Sequence, residues 1–145
     1  MTGWRVGYLV CPEYVMDRLL LLSAGTITAV PTFVQAAAIA ALKADVAPMK
    51  EIYARRREFV CGRLRQMGLT FPNPEGAFYV FVDISRFGIG SEEFCTRMIR
   101  EGKVAAVPGS CFGAEGYIRL SYCYSDEELQ KGLDRMEKFI RTLEG

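Results

Sequence analysis

The chain has 145 residues, 50% of them apolar and 24% charged, with a formal net charge of +1 and no histidine. That length supports one domain with a real core, and the near-neutral balance leaves no electrostatic footprint for nucleic acid or an acidic membrane. The missing histidine removes the commonest general base and the commonest metal ligand. Cys11, Cys61, Cys95, Cys111 and Cys123 are odd in number, widely spaced and free of any C-x-x-C pair, so neither a zinc site nor a disulfide framework is indicated. They read as reduced thiols of a cytoplasmic protein, mostly small apolar fillers. Residues 1–5 are not the start of a signal peptide. The apolar runs at 19–22 and 33–42 fall short of the ~20 residues that a membrane span needs.

In chain order, residues 6–10 form an apolar run bounded by Gly3 and Pro12, which predicts a buried strand. Pro12 suits the first turn of a helix running to about Ser23. A loop follows over 25–31. Thr32 is placed to cap a second helix over 33–43, whose alanines predict close packing. Pro48 starts a long helix that ends at Met67, before Gly68. Its Arg55-Arg56-Arg57 run reads as a solvated face. Residues 78–82 predict a strand. Ser91, followed by Glu92 and Glu93, predicts a capped helix that Gly102 ends. Strands are expected over 104–107 and 117–122. Ser125 and Glu128 form a capping box. Beyond it, Leu129, Leu133, Met136, Ile140 and Leu143 recur at steps of four and three, one apolar face of a last helix.

Residues 48–145 thus suffice for an α+β unit of three strands and three helices. Residues 1–47 do not close on themselves, because one strand and two apolar helices cannot bury their faces without a larger sheet beside them.

Two segments carry chemistry. In residues 1–8, Arg5 stands between Gly3 and Gly7 at the mouth of the apolar run. Small neighbours let an anion approach the backbone, and a guanidinium fork matches phosphate oxygens. In residues 108–122, period-2 alternation puts Ile118, Leu120 and Tyr122 on one face and Tyr117, Arg119 and Ser121 on the other. An arginine inside an apolar strand needs an anionic partner. A ligand carboxylate and a buried ion pair with an internal acid such as Asp83 both remain open on these residues.

Together, Thr2-Gly3-Trp4-Arg5-Val6-Gly7-Tyr8 and Pro108-Gly109-Ser110, Phe112-Gly113 and residues 116–122 resemble the class I aminotransferases, within the class I/II pyridoxal-phosphate (PLP) enzymes of aspartate-aminotransferase fold. The resemblance covers essentially the whole chain. It implies an α/β protein with an α+β small domain. Residues 1–47 would be a C-terminal remnant of the large PLP-binding domain, contributing its last strand and helices. Residues 48–145 would be the small C-terminal domain, beginning with the interdomain helix. It implies that Arg5 holds the PLP phosphate, that Arg119 grips the substrate α-carboxylate, and that Phe78 and Tyr79, in Gly76-Ala77-Phe78-Tyr79, line the side-chain pocket.

The family's Schiff-base lysine lies a few residues before the segment that begins at Thr2. None of Lys43, Lys50, Lys103, Lys131 or Lys138 stands in a comparable motif, so the chain by itself is expected to be an inactive, truncated fragment. The implied parent is a cytoplasmic, homodimeric transferase of amino-acid biosynthesis. It moves an amino group from an amino acid to a 2-oxo acid, with aspartate and aromatic amino acids ranked first. Dicarboxylate specificity needs a second cation, and the loop over 25–31 carries none. A β-lyase or decarboxylase of the same fold, and the non-catalytic effector domain of a transcription regulator, are the alternatives.

Overall fold

The computed structural model describes residues 1–144, apart from the side chain of Thr2. They divide into two compact units, Met1–Val46 and a second from Ala47 onward.

In the first unit a short turn, Thr2–Trp4, leads through an irregular stretch to helix α1, Glu13–Thr26, and helix α2, Thr32–Leu42. Each helix follows a proline at its cap position, Pro12 and Pro31, with no side-chain cap bond. A proline has its φ already set for entry, and its carbonyl opens the first turn: Pro12 O accepts from Val15 N and Met16 N. Thr32 is therefore the first helical residue and not the cap that the sequence suggests. α1 runs three residues past Ser23. The expected strand over 6–10 is not formed, and Val10 is 85% exposed. A strand takes its hydrogen bonds from a neighbouring strand, and this unit offers none among the described residues. Among the described residues, Val34 alone is buried here, at 7% exposure. Trp4 meets Phe33 edge-on at 6.3 Å.

The second unit opens with helix α3, Ala47–Gln66, which carries Pro48 in its first turn and closes where Gly68 takes a left-handed φ of 71°. Strand β1, Tyr79–Asp83, and strand β2, Val107–Pro108, flank the central strand β3, Tyr117–Ser121. Both pairings are antiparallel, with Val80 opposite Leu120, Phe81 opposite Arg119, and Val107 also opposite Arg119. β2 is half the length expected, because residues 104–106 make no ladder bonds. Helix α4, Ser91–Arg97, continues into a π-helical turn, Met98–Gly102. Lys103, and not Gly102, takes the left-handed position beyond it. Gly102 is glycine for packing: a Cβ there would sit 3.1 Å from the Phe139 Cβ.

Helix α5, Asp126–Glu144, starts at the expected cap, with Glu128 N donating to Ser125 Oγ at 3.2 Å. It buries Leu129, Leu133, Met136 and Ile140 as its spacing predicts, and Phe139 as well. These side chains join Val60 and Leu64 of α3, Phe94 and Met98, and the inner faces of β1 and β3 in one core. Burying each contributes on the order of 1.5–3 kcal/mol.

Ion pairs tie α3 to α5. Arg63 meets Asp134 at 2.8 Å and Glu137 at 2.9 Å, and Arg56 meets Asp126 at 2.8 Å. The Arg55–Arg57 run is thus not a uniformly solvated face: Arg57 is also half-buried and donates to Pro74 O. Cys61 and Cys95 are buried fillers, and burial pushes the Cys95 thiol up to about 11. Cys11 is half-buried, whereas Cys111 and Cys123 are exposed and fill nothing. Among the described residues, no helix is long and apolar enough to cross a membrane.

Candidate functional site

β3 positions its arginine by simple alternation. Ile118 and Leu120 point into the core, so Arg119 projects from the other face with Tyr117 and Ser121. No ion pair engages Arg119 among the described residues. Asp83, the internal acid that the sequence offers as a partner, stands opposite Tyr117, accepts from Ser85 N at 2.8 Å, and lies 3.5 Å from the Thr70 hydroxyl. Hydrogen bonds from the Ser85 side chain and backbone hold its carboxyl below the ordinary range.

What packs against Arg119 is aromatic. Its guanidinium carbon lies 4.3 Å from the centre of the Tyr79 ring and 4.6 Å from that of Phe112. Phe112 in turn meets Phe81 edge-on at 5.9 Å, and Phe81 stacks on Tyr117 at 5.4 Å with the planes 13° apart.

Phe78, Tyr79 and Arg119 line one cavity of about 610 Å³, with Lys103, Glu128, Lys131 and Arg135 at its charged walls. The entry to β1 that carries Phe78 and Tyr79 is held from behind. Ala77 adopts a left-handed φ of 58°, an uncommon conformation for a residue with a Cβ. The hydroxyl of buried Tyr122 donates to its carbonyl at 3.2 Å, and Tyr122 N donates to Phe78 O at 2.9 Å. Burial pushes the Tyr122 phenol up, which keeps it a donor.

The loop over 109–116 carries Phe112, and one buried residue anchors it. Glu115 accepts from Ser91 N at 2.6 Å and from Ser91 Oγ at 3.0 Å, while Ser91 Oγ accepts from Ser110 N at 3.2 Å. Hydrogen bonds from the Ser91 backbone and side chain, and from Gly116, hold the Glu115 carboxyl below its ordinary value. Ser91 is therefore not the N-cap of its own helix; Gly90 is, and Glu115 serves the helix end from 24 residues away. Gly109 leaves no alternative at its position, since a Cβ would lie 2.1 Å from Ala114 O.

Sequence reasoning singles out Arg119, Phe78 and Tyr79, and the structure brings these three together. The sequence assigns Phe112 and Glu115 no part in the site, and it marks Ser91 only as a helix cap and Tyr122 only as core, because nothing local in the chain signals their long-range contacts.

Arg5 belongs to the first unit. Its side chain is exposed and engages no acidic residue among those described, and its backbone has a left-handed φ of 52°. A Cβ added at Gly3 or Gly7 would meet nothing within 4 Å. A free guanidinium bordered by open backbone is a donor set that fits a phosphate dianion. Among the described residues, no group of three His, Cys, Asp or Glu side chains is placed to hold a metal ion.

The family model for aminotransferase class I and II matches residues 1–136. The aromatic-amino-acid aminotransferase 2 of Thermococcus litoralis is 44% identical over 148 residues, covering 97% of this chain and 38% of that protein. The aspartate aminotransferase of Thermotoga maritima is 42% identical over 142 residues, covering 98% and 37%. Among solved structures, the aromatic aminotransferase of Pyrococcus horikoshii superposes with a TM-score of 0.88 at 41% identity, over 99% of this chain and 41% of that one. The chain thus spans about 38% of the length of the first of these relatives.

Proposed function

Because the chain belongs to the aminotransferase class I and II family, we propose that its protein transfers an amino group from an amino acid to a 2-oxo acid with pyridoxal phosphate, and that this chain supplies the grip on substrate carboxylate and cofactor phosphate. Aspartate and aromatic amino acids are the substrates favoured, following the names of the similar proteins. The observation that carries the reading is Arg119: a permanent cation on a strand, lining a cavity, with rings and not a carboxylate against it.

Bound pyridoxal phosphate supplies the electron sink that such a transfer needs. Everything else here is the work of side chains. Arg119 meets the α-carboxylate with two parallel N–H donors, which fixes both the position and the plane of the substrate. Phe78 and Tyr79 present apolar walls to the substrate side chain and keep water from the bound carboxylate. Arg5 offers its fork to the phosphate. We assign proton transfer to none of Lys43, Lys50, Lys103, Lys131 and Lys138; Lys103 Nζ is engaged by Arg100 O at 2.7 Å.

In this reading residues 1–47 belong to the large domain and 48–145 form the small one, in a cytoplasmic homodimer. The exposed apolar surface of the first unit supports that division, since it calls for a covering sheet.

The test is amino-group exchange by the whole protein that contains this chain. Aspartate, tyrosine and phenylalanine serve in turn as donors to 2-oxoglutarate, with the products identified by mass spectrometry. Formation of glutamate and the matching 2-oxo acid is expected. Ammonia and pyruvate from a β-substituted amino acid, or carbon dioxide from the donor, without glutamate, would assign elimination or decarboxylation instead.

A further inference from the structure

An arginine that must meet a ligand carboxylate has a problem of its own. Its side chain is long and flexible, and the acid that would ordinarily hold it would also occupy the N–H groups the ligand needs. Arg119 has no such acid among the described residues, and two ring faces take its place. Stacking uses the flat face of the guanidinium and leaves its N–H edges free for two-pronged binding.

The two rings are mounted differently. Tyr79 sits within β1, two residues from Phe81, the cross-strand partner of Arg119. Phe112 comes from the loop at the end of the turn Gly109–Phe112, and it is 48% exposed, so it is not a core residue. Its loop is nonetheless pinned on both sides of the ring by Ser91, which receives Ser110 N and donates to Glu115, and is itself fully buried. The hydrogen bonds place the loop, the loop places the ring, and the ring sets the guanidinium.

We propose that Phe112 is a positioning residue for Arg119: its ring, with that of Tyr79, orients the guanidinium for carboxylate binding, and the Glu115–Ser91 clamp holds Phe112 in place. The binding part rests on the function proposed above; the orienting part does not.

Relaxation of the Arg119 15Nε–H group by NMR reads this on the chain as given. In the wild type the group is expected to be rigid. Phe112→Leu should loosen it clearly, Phe112→Trp should keep it rigid, and Glu115→Gln should loosen it to a smaller degree, with the backbone spectrum of β1 and β3 unchanged. Equal rigidity in Phe112→Leu and wild type would overturn the proposal. Should Phe112→Leu fail to fold, equal rigidity in Glu115→Gln and wild type would overturn it. Titration with maleate, as a simple carboxylate probe, separates the two claims. A shift of the Arg119 resonance is expected, with affinity roughly three- to tenfold weaker in Phe112→Leu. Equal maleate affinity in both proteins would overturn the positioning role. No maleate response in either, alongside a loosened guanidinium in Phe112→Leu, would sink the carboxylate-binding reading and leave the orienting role standing.

Discussion

The two units of this chain use apolar residues in opposite ways. Helix α2 is apolar nearly all round, yet Phe33, Ile39 and Leu42 are exposed and only Val34 is buried. Helix α5 is rich in charge, yet it buries five side chains on one face and pairs its flanks with Arg56 and Arg63. The difference shows that apolar content does not make a core. A core needs a one-sided helix and a matching surface to receive it. α5 has the three-stranded sheet and α3. α1 and α2 have no sheet within their own unit among the described residues, and a helix apolar all round belongs in an interior.

The widest separation between the units should appear in amide hydrogen exchange. β3 is paired with β1 along its whole length and with β2 at Ile118 and Arg119, so its amides lie inside the sheet. They should exchange at least about a thousandfold more slowly than those of α1, which has no buried residue. Comparable protection in a proven monomer would erase the distinction.

Truncation sharpens the same contrast. Phe94 is 0% exposed and packs against Phe87 and Phe139 at 5.4 Å, so Phe94→Ala should cost about 3–5 kcal/mol in urea unfolding. Leu21 is equally apolar but 70% exposed, and Leu21→Ala should stay within about 0.5 kcal/mol. Equal costs would mean that burial does not separate the units.

Much of the second unit is legible in the sequence because its signals are local. The spacing of Leu129, Leu133, Met136 and Ile140 writes the face of α5, and the alternation around Arg119 writes β3 and the direction of its arginine. What is lost is what depends on distant partners. Residues 6–10 have the composition of a strand, but composition brings no neighbouring strand. Ser91 has the signature of a cap, and only the folded loop shows that Glu115 does the capping. Phe112 lies seven positions before Arg119 in sequence and beside it only because Gly109, Gly113 and Gly116 turn the chain back. Tyr122 reads correctly as core, but its hydroxyl finds the Ala77 carbonyl 45 residues away.

A smaller effect should follow acid. Folding lowers the Asp134 carboxyl through hydrogen bonds from Gln130 and then Arg63, and the Glu137 carboxyl through Arg141 and then Arg63. A lowered folded value means that the unfolded chain binds protons first. The stabilisation is therefore present above the ordinary values of 3.8 and 4.5 and is lost as pH falls through the folded ones. The melting temperature should be level down to about pH 5 and then decline. Arg63→Met, which removes a partner common to both acids, should flatten that decline. A melting temperature unchanged down to about pH 3 would rule these pairs out as contributors.

The central claim is that Arg119 holds the carboxylate that every amino-acid substrate shares. The direct measurement is kcat/KM of the Arg119→Lys variant of the whole protein across acidic, aromatic and small donors. Lysine keeps the charge but not the two-pronged geometry. A hydrogen bond to a charged group contributes about 1.5–3 kcal/mol, so the loss should be roughly ten- to a few-hundred-fold and nearly equal for all donors, with affinity for pyridoxal phosphate little changed. A loss confined to one class of donor, or none at all, would contradict the account.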